Sequence, residues 1–139
     1  MKAKVLVIGL GIALLCAGMF VAGRATAASM PTAKEIVKQT LAEVPGKEVR
    51  ITDLEFAPGA ESPPHRHPGE TFVVVTQGEL VTTIDNGPAQ TNKAGTVFHE
   101  PPMSLHASSK NPSATETAKA IAFMVIDKDQ PTTVPGTHK

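Results

Sequence analysis

The chain has 139 residues, of which the first 27 read as a targeting leader, and the remainder is enough for one domain. The 13 Lys+Arg balance the 13 Asp+Glu, but Lys2, Lys4 and Arg24 lie in the leader. The mature part therefore has more anions than cations, nothing suited to neutralising phosphates, and no nucleic-acid partner is expected. The only cysteine, Cys16, also lies in the leader, which excludes a disulfide, a thiolate nucleophile or a zinc ribbon from the mature domain.

In chain order, the basic start Met1-Lys2-Ala3-Lys4 is followed by an uncharged run from Val5 to Ala22 and by Ala25-Thr26-Ala27, an A-x-A cleavage site. This pattern predicts a cleaved signal peptide over residues 1–27 and a periplasmic or secreted domain. The apolar run is also long enough to cross a bilayer, so membrane contact is expected only if the leader stays uncleaved. Thr32 with Glu35 forms a capping box, and Ile36, Val37, Leu41 and Val44 gather on one side. These signals predict a short helix over residues 32–44, ended by Pro45-Gly46, within an N-terminal arm of residues 28–47.

From there the helical period is absent. Short β-rich runs at residues 49–56, 71–77, 80–85, 96–99, 106–109 and 118–127 are each bounded by Gly, Pro or Asn, and Asn86-Gly87 is a strong hairpin signal. So many short strands in a span of this length predict a small antiparallel barrel or sandwich over residues 48–128. With no Trp or Tyr, its core must be built from Val, Ile, Leu and Ala, with Phe72, Phe98, Phe123 and Met124 as further barrel packing. Residues 129–139 read as a tail outside the core.

The chemistry lies in the histidines. His65 and His67 are two apart, so in an extended segment both imidazoles point to one face. A third histidine from another strand, His99 or His106, would complete a facial triad for a metal ion. His138 lies in the tail and has no assigned role.

The context of these histidines resembles the cupin family in both of its motifs. Gly59, His65, His67 and Gly78 fall at the spacings of G-x5-H-x-H-x3-E-x6-G, and Gly95, Pro101 and His106 at those of G-x5-P-x-G-x2-H-x3-N. The resemblance implies an all-β fold, a single cupin jelly-roll barrel preceded by the short N-terminal helix, and His65, His67 and His106 as metal ligands. The departures are specific. Thr71 stands where the family has its carboxylate ligand, and Glu70 comes one residue early. In a regular strand Glu70 then faces away, and it becomes a fourth ligand only if Pro68-Gly69 starts a bulge that turns it inward. Met103 replaces a family glycine, which would narrow the barrel mouth, and the motif asparagine arrives late as Asn111.

Glu70, Thr71, His99 and Glu100 are the further candidates for chemistry at the site. Thr71 offers a hydroxyl to a metal-bound water, and His99 and Glu100 offer an outer hydrogen bond, a fourth ligand or a general base. One divalent transition metal ion is the expected cofactor. Loading outside the cytoplasm favours Cu, Ni or Zn, whereas Fe or Mn would require folding before export. The expected function is that of a metal-dependent cupin enzyme. Dioxygenase-like action on a small phenol, enol or keto acid ranks first, with decarboxylation and isomerisation next. The alternative is a non-catalytic periplasmic protein that binds a metal or small molecule. The N-terminal arm and the resemblance to small cupins lead us to expect a homodimer.

Export has a direct test. N-terminal sequencing of protein recovered from the exported fraction should start at Ala28, whereas full-length chain held in the membrane would show that residues 5–22 act as an anchor.

Overall fold

The computed structural model describes residues 29–137, so the predicted leader, Cys16 and His138 lie outside the described residues. Eleven strands form two antiparallel sheets, with no helix among the described residues. The first sheet has the order β1 (Thr32–Thr40), β2 (Lys47–Phe56), β10 (Ala118–Asp127), β5 (Glu70–Gln77), β8 (Val97–Glu100). The second has the order β11 (Val134–Pro135), β4 (His65–Arg66), β9 (His106–Lys110), β6 (Glu79–Ile84), β7 (Gln90–Lys93), and β3 (Glu61–Ser62) also pairs with β9.

Strand alternation sends one side of each strand inward. On β10 this side is Ala118, Ala120, Ala122, Met124 and Ile126, all buried. Val73 and Val75 of β5, Phe56 of β2, Ala60 and Leu80 of β6 pack with these alanines, and Leu54 and Phe98 join at the margin. Asn111 is buried below them. Its amide nitrogen donates to the carbonyls of Phe56, Ala57 and Glu116 at 2.8–3.1 Å, and its amide oxygen accepts from the backbone N–H of Ser113 at 3.0 Å. The late asparagine is thus a clamp between the end of β2 and the loop before β10.

The predicted helix over residues 32–44 is instead strand β1, paired with β2 from Thr32↔Glu55 to Thr40↔Glu48 with one bulge. Its capping-box residue Glu35 pairs with Arg50, and Lys38 lies 3.9 Å from the buried carboxylate of Glu48. The long open edge of β2 supplies a backbone partner for each of these residues, and long-range pairing overrides a weak local helix signal. Two further expectations are corrected. Phe72 and Phe123 face outward and are 40% and 38% exposed, because they fall on the side of their strands opposite to the buried Val73 and Met124. The tail is part of the fold: β11 pairs with β4, and a Cβ on Gly136 would collide with Leu105 and His65.

The Asn86-Gly87 turn does join β6 to β7, with Thr82 opposite Gln90, so the connection is longer than two residues. Gly69 abuts the carbonyl of Val125 and the side chain of Ile126, leaving no room for a Cβ. This close approach starts β5 against β10, with Glu70 opposite Val125 and Thr71 opposite Met124. Gly69→Ala should lower stability by about 1–3 kcal/mol, the usual cost of overpacking against a fixed backbone. Denaturant unfolding of the two proteins side by side checks this, and equal midpoints would contradict it.

Candidate metal centre

His65 and His67 arise from the extended segment after Pro63-Pro64, and His106 opens β9. The only β4–β9 pair in register is His65↔His106, which sets these two residues side by side. The start of β9 is fixed from the other side by Asp85, whose N–H donates to the Leu105 carbonyl at 2.7 Å and whose carboxylate accepts from the Leu105 N–H at 2.8 Å. The three rings lie with centroids 4.7–5.0 Å apart, and one nitrogen from each lies within 4.8 Å of the others.

For His65 and His67 the free ring nitrogen follows from a hydrogen bond. His65 Nδ1–H donates to the Pro63 carbonyl at 2.8 Å, and His67 Nδ1–H donates to the Thr132 carbonyl at 2.6 Å. A carbonyl only accepts, so both Nδ1 atoms carry the proton and both Nε2 atoms keep a lone pair. His106 is 1% exposed, and neither of its ring nitrogens has a hydrogen-bond partner. Burial pushes the His67 imidazole down to about 4 and holds His65 below the usual range as well. Neutral imidazoles with converging lone pairs and an orphaned buried ring suit a divalent transition metal.

The other candidates separate into two groups. Thr71 is fully buried, but its hydroxyl donates to the Gly69 carbonyl at 3.3 Å. Glu70 and His99 lie on the outer side of the sheet. His99 Nε2 is 2.6 Å from Glu70 Oε2, and its ring stacks on Phe72 at 4.8 Å. No bulge interrupts the β5–β10 ladder at Glu70, so the strand runs regularly and Glu70 does not reach the histidines. Glu100 stands opposite Thr71 in the β5–β8 pairing and is 4% exposed. Its Oε1 is 2.9 Å from His106 Nδ1 and its Oε2 is 3.4 Å from His67 Nε2. Thus Glu100, which sequence weighed only as one of several rim groups, is the carboxylate at the cluster.

A cavity of about 300 Å³ opens from His65, His67 and Glu100 between the sheets. Leu54, Phe56, Val73, Phe98, Ala122 and Met124 form its apolar wall, and no Lys or Arg lines it. Met30 and Pro31 from the N-terminal side and Thr132 and Thr133 from the tail also line it. Met103, in the left-handed region at φ 60°, is half exposed and lies outside this lining, so it does not narrow the mouth. Its N–H donates to the His67 carbonyl at 2.7 Å, and its carbonyl accepts from Arg66 at 2.6 Å. Sequence reasoning missed the tail's role, since the acceptor that orients His67 is a backbone carbonyl with no residue-type signal.

The sequence profile described as "Cupin domain" matches residues 52–125. Over 80 residues the chain is 36% identical to germin-like protein subfamily 2 member 4 of Arabidopsis thaliana, covering 54% of this chain and 36% of that one. It is 30% identical to oxalate oxidase GF-2.8 of Triticum aestivum over 106 residues, covering 68% and 47% of the two chains. The chain thus spans about half or less of the length of these relatives. Among solved structures, a recombinant oxalate oxidase in complex with glycolate superposes with a TM-score of 0.60 at 25% identity, covering 82% of this chain and 59% of that chain. A cupin domain from Bordetella pertussis Tohama I shares the fold, with a TM-score of 0.58 at 20% identity, covering 72% and 97%.

The lowered imidazole pKa values predict a pH dependence. Between about pH 4 and the ordinary imidazole value of 6.5, His67 binds a proton in the unfolded chain but not in the folded one. Its contribution is therefore complete above pH 6.5 and is lost as pH falls toward 4. Chelator-treated protein should lose stability over that window, and His67→Gln should lose less. Parallel unfolding profiles for the two proteins would contradict this.

Proposed function

The chain belongs to the cupin family, and from that premise we propose that it is an exported, metal-dependent enzyme acting on a small oxygen-bearing molecule, with dioxygenase-like chemistry as the leading reaction. The observation that carries this reading is that the His65, His67 and His106 cluster adjoins an apolar cavity, which His65 and His67 line. A protein that only stores metal has no use for a cavity of about 300 Å³ walled by Leu54, Phe56, Phe98 and Met124. That argument disfavours a protein that only holds metal, and turnover separates the enzyme from a non-catalytic binder of small molecules.

His65, His67 and His106 would hold the ion, and the ion would act as a Lewis acid toward substrate oxygens. Cu, Ni or Zn remains our preferred loading, on the argument from the exported compartment, with Fe or Mn next. The residues of the chain do the rest. The Pro63 and Thr132 carbonyls hold two imidazoles in one tautomer and one orientation. The apolar wall receives the body of the substrate and excludes water. Because no cation lines the cavity and Glu100 adds a negative charge beside the histidines, a phenol or enol suits the site better than a keto acid or another carboxylate. On the outer face of the first sheet, the exposed Phe72, Phe123 and Val97 support our proposal of a homodimer.

The test begins with metal analysis of protein from the exported fraction, followed by oxygen uptake with phenolic, enolic and keto-acid substrates. A redox-active ion with turnover is expected, and tightly held zinc with no turnover on any of them would favour the binder. His65→Ala, His67→Ala and His106→Ala should each weaken metal binding by more than the roughly 10–100-fold that losing an outer-shell partner costs. His99→Ala, on the opposite side of the sheet, should leave it unchanged.

A further inference from the structure

We propose that Glu100 is itself a metal ligand, so that the centre is a three-imidazole, one-carboxylate site whose carboxylate comes from β8. The inference rests on the metal-binding reading above and specifies the ligand set. Three observations carry it.

The first is spacing. Two donors bound about 2.1 Å from one ion stand about 3.0 Å apart at right angles and about 3.4 Å apart at the tetrahedral angle. The Glu100 oxygens lie 2.9 Å from His106 Nδ1 and 3.4 Å from His67 Nε2, so each oxygen has ligand-to-ligand separation from a different imidazole.

The second is the absence of a hydrogen bond that would otherwise account for this closeness. His106 Nδ1 has no hydrogen-bond partner among the described residues even with the carboxylate at 2.9 Å. His67 has its proton on Nδ1, held by the Thr132 carbonyl, so its Nε2 lone pair faces Glu100 Oε2. Two acceptors turned toward each other repel, and a cation between them removes the repulsion.

The third is charge and position. Glu100 is 4% exposed, and among the described residues its ion-pair contacts are to His67 and His106, with no Lys or Arg. A buried carboxylate without a cationic partner is costly unless a metal supplies the charge. Thr71, opposite it in register, brings no donor, since its hydroxyl is engaged by Gly69. A carboxylate ligand from β8 also leaves the shell one unit less positive than three imidazoles alone, which makes the ion a milder Lewis acid.

The test titrates chelator-stripped full-length wild type and Glu100→Gln with Co²⁺, following the visible absorption of the bound ion. Glutamine keeps the size and an acceptor oxygen, so an outer-shell partner of His106 would survive the exchange. A carboxylate ligand would not. We expect at least a tenfold loss of Co²⁺ affinity and an altered absorption band. Unchanged affinity and band in Glu100→Gln would overturn the proposal while leaving the histidine site intact. A wild type that binds no Co²⁺ at all would instead overturn the metal reading on which it rests. If Glu100→Gln fails to fold, the structure of Co²⁺-loaded wild type decides: a Glu100 oxygen bonded to the ion supports the proposal, and Glu100 turned away from it defeats it.

Discussion

The pairing of β4 with β9 is the contact on which the site depends. β4 has two residues, and its single register pair with β9 is His65↔His106. So short a strand cannot hold a register alone, because one ladder contact does not offset the entropy of fixing the chain. It is held from outside. β11 flanks it, with Val134 opposite Arg66 and Pro135 opposite His65. Gly136 packs without a side chain against Leu105 and His65, and the Met103 N–H and Arg66 bind the two loops together. The C-terminal segment is therefore part of the site's scaffold, and its Thr132 carbonyl reaches His67 directly.

Electrostatics explains why this end of the barrel tolerates so many polar groups. His65 and His67, kept neutral by burial, carry no desolvated charge, and each donates its Nδ1–H to a backbone carbonyl that also needs a partner. The remaining lone pairs converge, which is unfavourable without a cation and favourable with one. A metal bound there would stabilise the fold, because it would bind the folded arrangement and not the open chain. A contrasting case is Glu48, fully buried at the far end of β2, which has Arg50 at 2.7 Å and Lys38 at 3.9 Å to balance it.

What could be read from the sequence divides along physical lines. Strands such as β5 and β10 are legible because their apolar runs, residues 72–75 and 120–126, are short and bounded by polar residues, and alternation of faces in extended chain follows once a strand is placed. The histidine spacing is legible for the same reason: residues 65 and 67 share a face in extended chain. The one-residue slip that turns Glu70 outward also follows from alternation, and the regular β5 ladder agrees. β1 is different. Nearly all of its residues are exposed, so it has no buried side to leave a pattern, and its partners on β2 lie 8 to 23 residues further along the chain. The position of Glu100 depends on the Thr71 register, a long-range pairing that no local signal encodes. The oxygen that orients His67 belongs to a peptide bond and leaves no mark in residue identity at all.

The cavity itself traces to side-chain size. β10 crosses the middle of the first sheet, between β2 and β5, and presents Ala118, Ala120 and Ala122 inward. A chain without Trp or Tyr, placing alanines on its central strand, cannot fill the space between two sheets about 10 Å apart. Larger residues there would gain burial and contact energy, so the unfilled volume forgoes stability. Small proteins have little stability to forgo, and sites where it is given up consistently are those where a ligand restores it. Ala122 lines the cavity with Leu54, Phe56 and Phe98, and His65, His67 and Glu100 line it too. Apolar surface and converging donors thus meet in one volume. A molecule with an oxygen at one end and a hydrocarbon body at the other would satisfy both at once, its body against the apolar wall and its oxygen toward the histidines.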